Sequence, residues 1–174
     1  LSRSPKRSKG KGPYQPTDNP KATILGNAQW KWLEKCLKKR ANLRIIASSI
    51  QFHSANHGWE TWGNFPKERK KLLEMLADSG VRNVLFLSGD RHSAEFSKIE
   101  KILPKPVWDV TSSSLNLALS IREEENSLRV GKQIFVENFG LLEINWNKSK
   151  PSVIANILDV YGNVLASHEI IRAQ

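Results

Sequence analysis

The chain is nearly without cysteine: Cys36 is the only one in 174 residues. That excludes an internal disulfide framework but leaves the compartment open, because many exported proteins lack disulfides. Cys36 falls in an amphipathic stretch, where packing rather than reactivity is its expected role. Long apolar runs are missing too. Nothing approaches about 18 apolar residues, so no membrane span is predicted. No signal-peptide pattern is present either. A chain that starts at Leu1 rather than Met reads as a fragment or a processed product, however, so that absence carries no weight. Internal repeats, a Walker motif and a dinucleotide-binding glycine pattern are likewise lacking. Acidic residues are few, 17 against 27 Lys and Arg, for a net charge of +10. Arg3, Lys6, Arg7, Lys9 and Lys11 stand in the first 12 positions with no acid among them, so about half of the excess belongs to a tail. Such a tail can touch nucleic acid or anionic lipid, but a solvated loop is the commoner outcome and the one expected here.

What remains is a globular sequence. Hydrophobic residues make up 39% and include six Trp, enough for one domain with a sizeable core. Residues 1–20 are rich in Ser, Pro, Gly and Lys and read as a basic loop or linker. From Leu25-Gly26 to about Arg40, Trp30, Leu33 and Leu37 recur at helical spacing, with cations gathered at the helix end. Leu43 to Phe52 reads as a strand. A loop dense in His, Trp, Asn and Gly follows, from His53 to Pro66. Trp59 and Trp62 there either bind something or cover the edge of the core. Asn64 is the expected N-cap of a second helix that Gly80 ends.

Asn83 to Ser88 comes next, an apolar run suited to a strand buried on both faces. With the preceding strand and helix it makes a βαβ unit and a parallel pairing. The run ends in Ser88-Gly89-Asp90-Arg91-His92. Ligands gather at the carboxyl ends of strands in open sheets, and an Asp and a His two residues apart can both reach one metal ion. The competing reading makes Asp90 the cap of a short helix over Ser93–Phe96 and His92 an ordinary surface residue. Val107–Val110 is a third strand. Thr111 to Ser114 follows, a hydroxyl run fit for a phosphate site or for turns and caps. A short apolar helix is expected around Leu115–Leu119, and 121–132 reads as a polar loop. The last third holds four strands, Gln133–Glu137, Gly140–Trp146, Ser152–Leu158 and Val164–Ile170. Turn signals at 147–150 and 161–163 make them antiparallel hairpins.

Several of these segments together resemble one family. They are Leu25-Gly-Asn-Ala-Gln-Trp-Lys-Trp-Leu33, Ser48-Ser-Ile-Gln51, the stretch from His57 to Arg69, and Leu87-Ser-Gly-Asp-Arg-His92. Thr111–Leu115, Asn126–Gly131 and Glu137–Leu141 complete the set, in order. The chain is similar to the PhoD-like phosphodiesterase/alkaline phosphatase D family of metallophosphoesterases. The resemblance implies an α/β fold: a partial four-layer α/β/β/α sandwich, a mixed sheet with C-terminal antiparallel strands. It implies hydrolysis of phosphate mono- or diesters at a divalent or trivalent metal centre, with Ca, Fe, Mn or Zn as candidates. By the family's Gly-Asp-x-His segment, Asp90 and His92 are the expected metal-site residues. His57, Glu60 and Trp62 are expected near the site.

The family also carries an upstream half, with an Asp-bearing first strand and most of the metal ligands, that has no counterpart here. Residues 21–174 are therefore expected to be the C-terminal half of the domain. The missing N-terminal half is its expected partner, alongside a phosphate-ester substrate. The isolated piece is expected to be inactive, and its parent exported. Hydrolysis needs metals to activate water, and donors to offset charge on the phosphoryl oxygens. His57 and His92 are the catalytic candidates, and Gln51, Asn56, His57 and Arg91 the phosphate-binding ones. Each can instead be a structural polar residue. His53 and His168 are expected to be structural, and Asn138 either faces the site or packs. The alternative functions are a non-catalytic basic module binding nucleic acid through the tail and Trp-rich loop, and a degenerate structural half-domain.

Overall fold

The computed structural model describes residues 2–6, 12–119, 123–146 and 151–172. Helix α1 (Gly26–Leu37) and helix α2 (Pro66–Asp78) pack beside a five-stranded mixed sheet. Its strands run in the order β1 (Arg44–Ala47), β2 (Val84–Ser88), β4 (Val107–Ser112), β3 (Ala94–Ile99), β5 (Arg129–Ile134). β1–β2 and β2–β4 are parallel, as the βαβ reading requires, and β3 is antiparallel to both its neighbours. Strands β6 (Asn138–Asn145), β7 (Ser152–Asp159) and β8 (Val164–Ile171) form a separate antiparallel sheet.

The alternation along β2 shows why the sheet is covered on both sides. Val84 and Phe86 join Trp30, Leu33, Phe52 and Leu72 in one apolar cluster. Leu85 points the other way, into a cluster with Phe96, Trp108, Val153 and Ile157. Successive strand residues face opposite sides, so an unbroken apolar run is what a strand needs when helices cover one face and a second sheet the other. Glu68 anchors the helices to each other. Its carboxylate accepts from the Trp30 indole N–H (2.7 Å), the Thr23 hydroxyl (2.9 Å) and the Ile24 N–H (2.8 Å). One α2 side chain thereby holds the entry of α1.

Several expectations are corrected. Ser93–Phe96 is no helix: Ala94-Glu-Phe-Ser alternates apolar and polar with period two and forms β3. No helix forms at Leu115–Leu119. Asn64 does not cap α2, since Phe65 holds that position with Pro66 in the first turn. The Asn64 amide instead donates to the Trp59 carbonyl (2.8 Å) and the Ser4 hydroxyl (3.1 Å). β1 ends at Ala47, and β5 begins inside the stretch read as loop. The expected C-terminal antiparallel strands are present, β6, β7 and β8 forming a sheet of their own. The turn at 161–163 is present, its backbone drawn onto the Asp159 carboxylate. The turn at 147–150 lies outside the described residues. The tail is less free than expected. Tyr14 N–H donates to Gly58 O (2.8 Å), and Ser2 N–H to Thr23 O (2.7 Å). At Gly12 any Cβ would sit 2.3 Å from the Gly58 carbonyl oxygen, so only glycine permits this approach.

Candidate metal centre at the strand ends

The loops that leave β1, β2 and β4 at their carboxyl ends meet. Gly89 is packed between the Ser49 carbonyl and the Ser113 side chain. The Ser113 hydroxyl accepts from Arg91 N–H (3.0 Å) and donates to Ser93 O (3.2 Å). The hydroxyl run therefore stitches loops together. Ser112 continues it, donating to the Asn138 side-chain oxygen (2.7 Å), and the Asn138 backbone N–H donates to Ser114 O (2.9 Å). Asn138 is thus buried between the two sheets' loops and does not face the site.

Asp90 and His92 both adopt left-handed backbone, φ 70° and 51°. Two such residues within three positions is costly for side chains with a Cβ, and backbone of this kind concentrates at ligand sites. The turn is held by bonds on either side: Arg91 N–H on Ser113, and Leu119 N–H on His92 O (3.1 Å). His92 Nδ1 lies 3.2 Å from Leu117 O. A carbonyl can only accept, so Nδ1 carries the proton and Nε2 keeps its lone pair for a ligand. The Asp90 carboxylate is exposed, and its pKa is raised by partial burial and by Glu60, against the pull of Arg91 and His92. Glu60 in turn accepts from the Tyr14 hydroxyl, raising that phenol's pKa. A carboxylate and an imidazole nitrogen suit a hydrolytic metal. Two donors are fewer than the four a zinc ion takes or the six of calcium and magnesium, and no group of three His, Cys, Asp or Glu able to hold a metal gathers among the described residues. The donor chemistry fits; the donor number is half-built.

The other expected site residues lie deeper. Gln51 is buried, its amide donating to Glu95 Oε1 (2.7 Å) and Thr111 Oγ1 (2.9 Å). Arg91 is buried in an ion pair with Glu124, its guanidinium over the Trp59 ring. Both side chains thus have internal partners. Asn56 is exposed, beside a small polar pocket that it lines with His53, Arg69 and Asn126. Trp62 is core, its indole N–H on Ser48 Oγ (3.0 Å), while Trp59 stays part-exposed beneath Arg91. With Trp62 buried, a stacking platform for nucleic acid loses half its surface.

His57 is buried, with Nδ1 accepting from Trp59 N–H (3.0 Å) and Nε2 unpartnered. Burial, reinforced by the Arg91 cation, pulls its pKa down to about 3. His53 is buried between Phe52 and Phe86, and burial pulls it to about 4 against the opposing Asp109 carboxylate. Both imidazoles are therefore neutral when the chain is folded. Unfolded histidine takes up a proton near 6.5, which these sites refuse until about pH 4 or 3. Below 6.5 the unfolded state thus gains protons that the folded state lacks, and stability is lost as pH falls. The urea midpoint is expected to be flat above pH 7 and to drop between pH 6.5 and 4, less steeply for His53→Phe. An unchanged slope in that variant rules the account out.

Sequence reasoning missed the polar residues beneath the site. Asp109 and Glu95 sit mid-strand, and Arg129 sits where a loop was expected. The signal was there: charged residues inside otherwise strand-like runs, which a buried sheet tolerates only when they are paired.

No helix among the described residues is long and apolar enough to cross a membrane. A family model described as "PhoD-like phosphatase" matches residues 2–148. The chain is 28% identical over 98 residues to "Alkaline phosphatase D" of Bacillus subtilis (strain 168), a match covering 51% of this chain and 17% of that protein. A solved structure titled "Structure of PhoD" superposes over 92% of this chain and 38% of its own, with TM-score 0.62 and 16% identity, a likeness of fold. The chain thus spans well under half the length of the relatives it matches.

Proposed function

Because the chain belongs to the PhoD-like phosphatase family, we propose that it is the carboxyl-terminal half of a metal-dependent enzyme that hydrolyses phosphate mono- or diesters. The observation that carries this reading is the Asp90-Arg91-His92 turn. It places an exposed carboxylate and an imidazole with a free Nε2 on strained backbone at the end of a buried parallel strand. Asp90 and His92 would hold a metal ion, with Ca, Fe, Mn and Zn the candidates. Bound there, such an ion lowers the pKa of water and takes up charge from phosphoryl oxygens.

The chain's own side chains do the rest. Leu117 fixes the His92 tautomer through its carbonyl. Neutral His57, beside Arg91, offers its unpartnered Nε2 as a hydrogen-bond acceptor. Arg91 steadies the Trp59 loop and sets a positive potential under the site, and Asn56 is the free polar contact for a phosphate oxygen. The remaining ligands come from an N-terminal half that this chain does not contain.

Two results test the proposal. The purified 174-residue chain, given a chromogenic phosphate ester with each of the four metals, is expected to show no turnover above the blank. In the protein carrying both halves, turnover is expected to be lost to chelator, and Asp90→Asn and His92→Ala are each expected to lower kcat about 100-fold. Chelator-sensitive turnover by the short chain refutes the half-enzyme reading. Unchanged kcat in both variants refutes the site.

A further inference from the structure

In the loop that follows β1, Trp62 is core but Trp59 is 39% exposed. The exposed tryptophans elsewhere, Trp32 on α1 and Trp146 after β6, stand outside the loops that meet at the candidate centre. An indole gains more from burial than almost any side chain, so one that is fixed in place with its ring in solvent is suited to binding something. Trp59 is fixed. Its N–H donates to His57 Nδ1 (3.0 Å), and its carbonyl accepts from the Asn64 side chain (2.8 Å). Both its chain neighbours are tied to Tyr14. Gly58 O accepts from Tyr14 N–H (2.8 Å), and the Glu60 carboxylate accepts from the Tyr14 hydroxyl.

The two faces of the ring differ. The Arg91 guanidinium lies over it, 5.7 Å from its centre, and is itself 5% exposed and paired with Glu124. A buried cation can cover only the inner face, so the exposed area of Trp59 is the outer one. A guanidinium stacked on an indole also holds the plane of the ring. The outer face is thus a flat apolar surface set before any ligand arrives, which spares the ordering entropy that a mobile side chain would lose. Its place is equally definite. Arg91 stands between Asp90 and His92 in the chain, and Glu60 is near enough to Asp90 to raise its pKa. Trp59 therefore stands at the rim of the candidate metal centre.

We infer that Trp59 stacks on the alcohol part of the substrate, and that this part carries a planar aromatic ring, as a nucleoside or a phenol does. A rigid flat face makes its fullest contact with another flat group, whereas a flexible chain needs a groove. With Trp62 buried, the loop offers one ring, which matches a single base and not a run of stacked bases. The carboxylates on the same rim, Glu60 and Asp90, disfavour an anionic group there. The ester's phosphoryl end accordingly belongs at the metal and its uncharged end on the indole. The inference rests on the phosphoesterase reading above and names the class of ester that the site takes.

Equilibrium dialysis of the metal-loaded protein carrying both halves tests this. The ligands are the phosphonates of adenosine, phenol and ribose, with CH2 in place of the bridging ester oxygen so that no bond is cleaved. The ring compounds are expected to bind about 10- to 100-fold more tightly than the ribose compound. A gain confined to one of them tells the nucleoside from the phenol. Trp59→Leu, which still covers Arg91 but has no ring, is expected to abolish the gain while leaving the ribose compound's affinity and the urea midpoint unchanged. Trp59→Phe is expected to keep most of it. If neither ring compound outbinds the ribose compound in the wild type, the inference is overturned whatever the variants do. A gain that survives Trp59→Leu also overturns it, as does a Trp59→Leu protein that binds all three ligands equally poorly, the mark of a merely structural residue. Phosphonate binding needs no turnover. A protein that binds ring compounds through Trp59 yet cleaves no ester counts against the hydrolytic reading alone, and one that cleaves esters without a ring preference counts against the stacking alone.

Discussion

Asp109→Ala is expected to destabilise the chain by about 4 kcal/mol, since three buried donors lose their acceptor at about 1–3 kcal/mol each. Asp109 lies in the middle of β4, 1% exposed. Its Oδ2 accepts from the N–H groups of both Phe52 and His53 at 2.9 Å, and its Oδ1 from the Ser88 hydroxyl at 2.7 Å. The same two residues are gripped from their other side. Arg69 of α2 donates to the Phe52 carbonyl (2.8 Å) and the His53 carbonyl (3.1 Å). A strand carboxylate and a helix guanidinium thus fix the start of the loop that carries His57 and Trp59. Through Ser88 the same carboxylate touches the end of β2, two residues before Asp90. In a domain of this size the loss corresponds to a fall in Tm of roughly 10 °C. Asp109→Asn keeps one acceptor oxygen and is expected to lose about half as much. Urea unfolding of the three proteins decides the matter, and a wild-type midpoint for the alanine variant ends the argument.

Arg129→Met is expected to cost about 3–5 kcal/mol, the usual penalty for leaving a buried charge without its partner. Glu95 is 2% exposed on β3. Its carboxylate takes Arg129 Nε at 2.5 Å, along with the amides of Gln51 (2.7 Å) and Asn126 (3.0 Å). Arg129 also binds the Glu124 carbonyl (2.6 Å), the Gln133 side chain (3.1 Å) and the Glu123 carboxylate (3.0 Å). It therefore organises the 123–128 loop, whose Glu124 is the ion-pair partner of Arg91 under the candidate site. Because the cost arises from the stranded carboxylate, neutralising Glu95 in the same protein is expected to recover most of it. The double variant Glu95→Gln, Arg129→Met is expected to sit within about 1–2 kcal/mol of wild type. If the two losses simply add in the denaturation series, the pair is not the source.

How far the fold could be read in advance depended on whether local pattern and long-range packing agreed. At α1, α2, β2 and the hairpin strands they did. Apolar spacing, Gly80 after the second helix and the turn at Asp159–Asn163 all pointed to what formed. They diverged at Ala94–Ile99, where a carboxylate and a serine between apolar residues resembled a short helix. A five-residue window cannot show that Arg129, 34 positions later, neutralises Glu95. They diverged again at Leu115–Leu119, whose leucines stay largely exposed around the loop that orients His92.

The sequence by itself settled the element types wherever periodicity is long and unbroken. It also settled the family, because that rests on ordered residues. Only the tertiary structure decided which polar residues face a ligand and which face one another. Gln51 and Arg91, candidate phosphate contacts along the chain, have partners inside, and Asn138, open between site and packing, is packed, while Asp109 and Glu95, unremarked along the chain, hold the site loops in place. The reason is physical. Whether a buried polar group is tolerated depends on partners that chain closure brings from tens of residues away, and no local spacing encodes them.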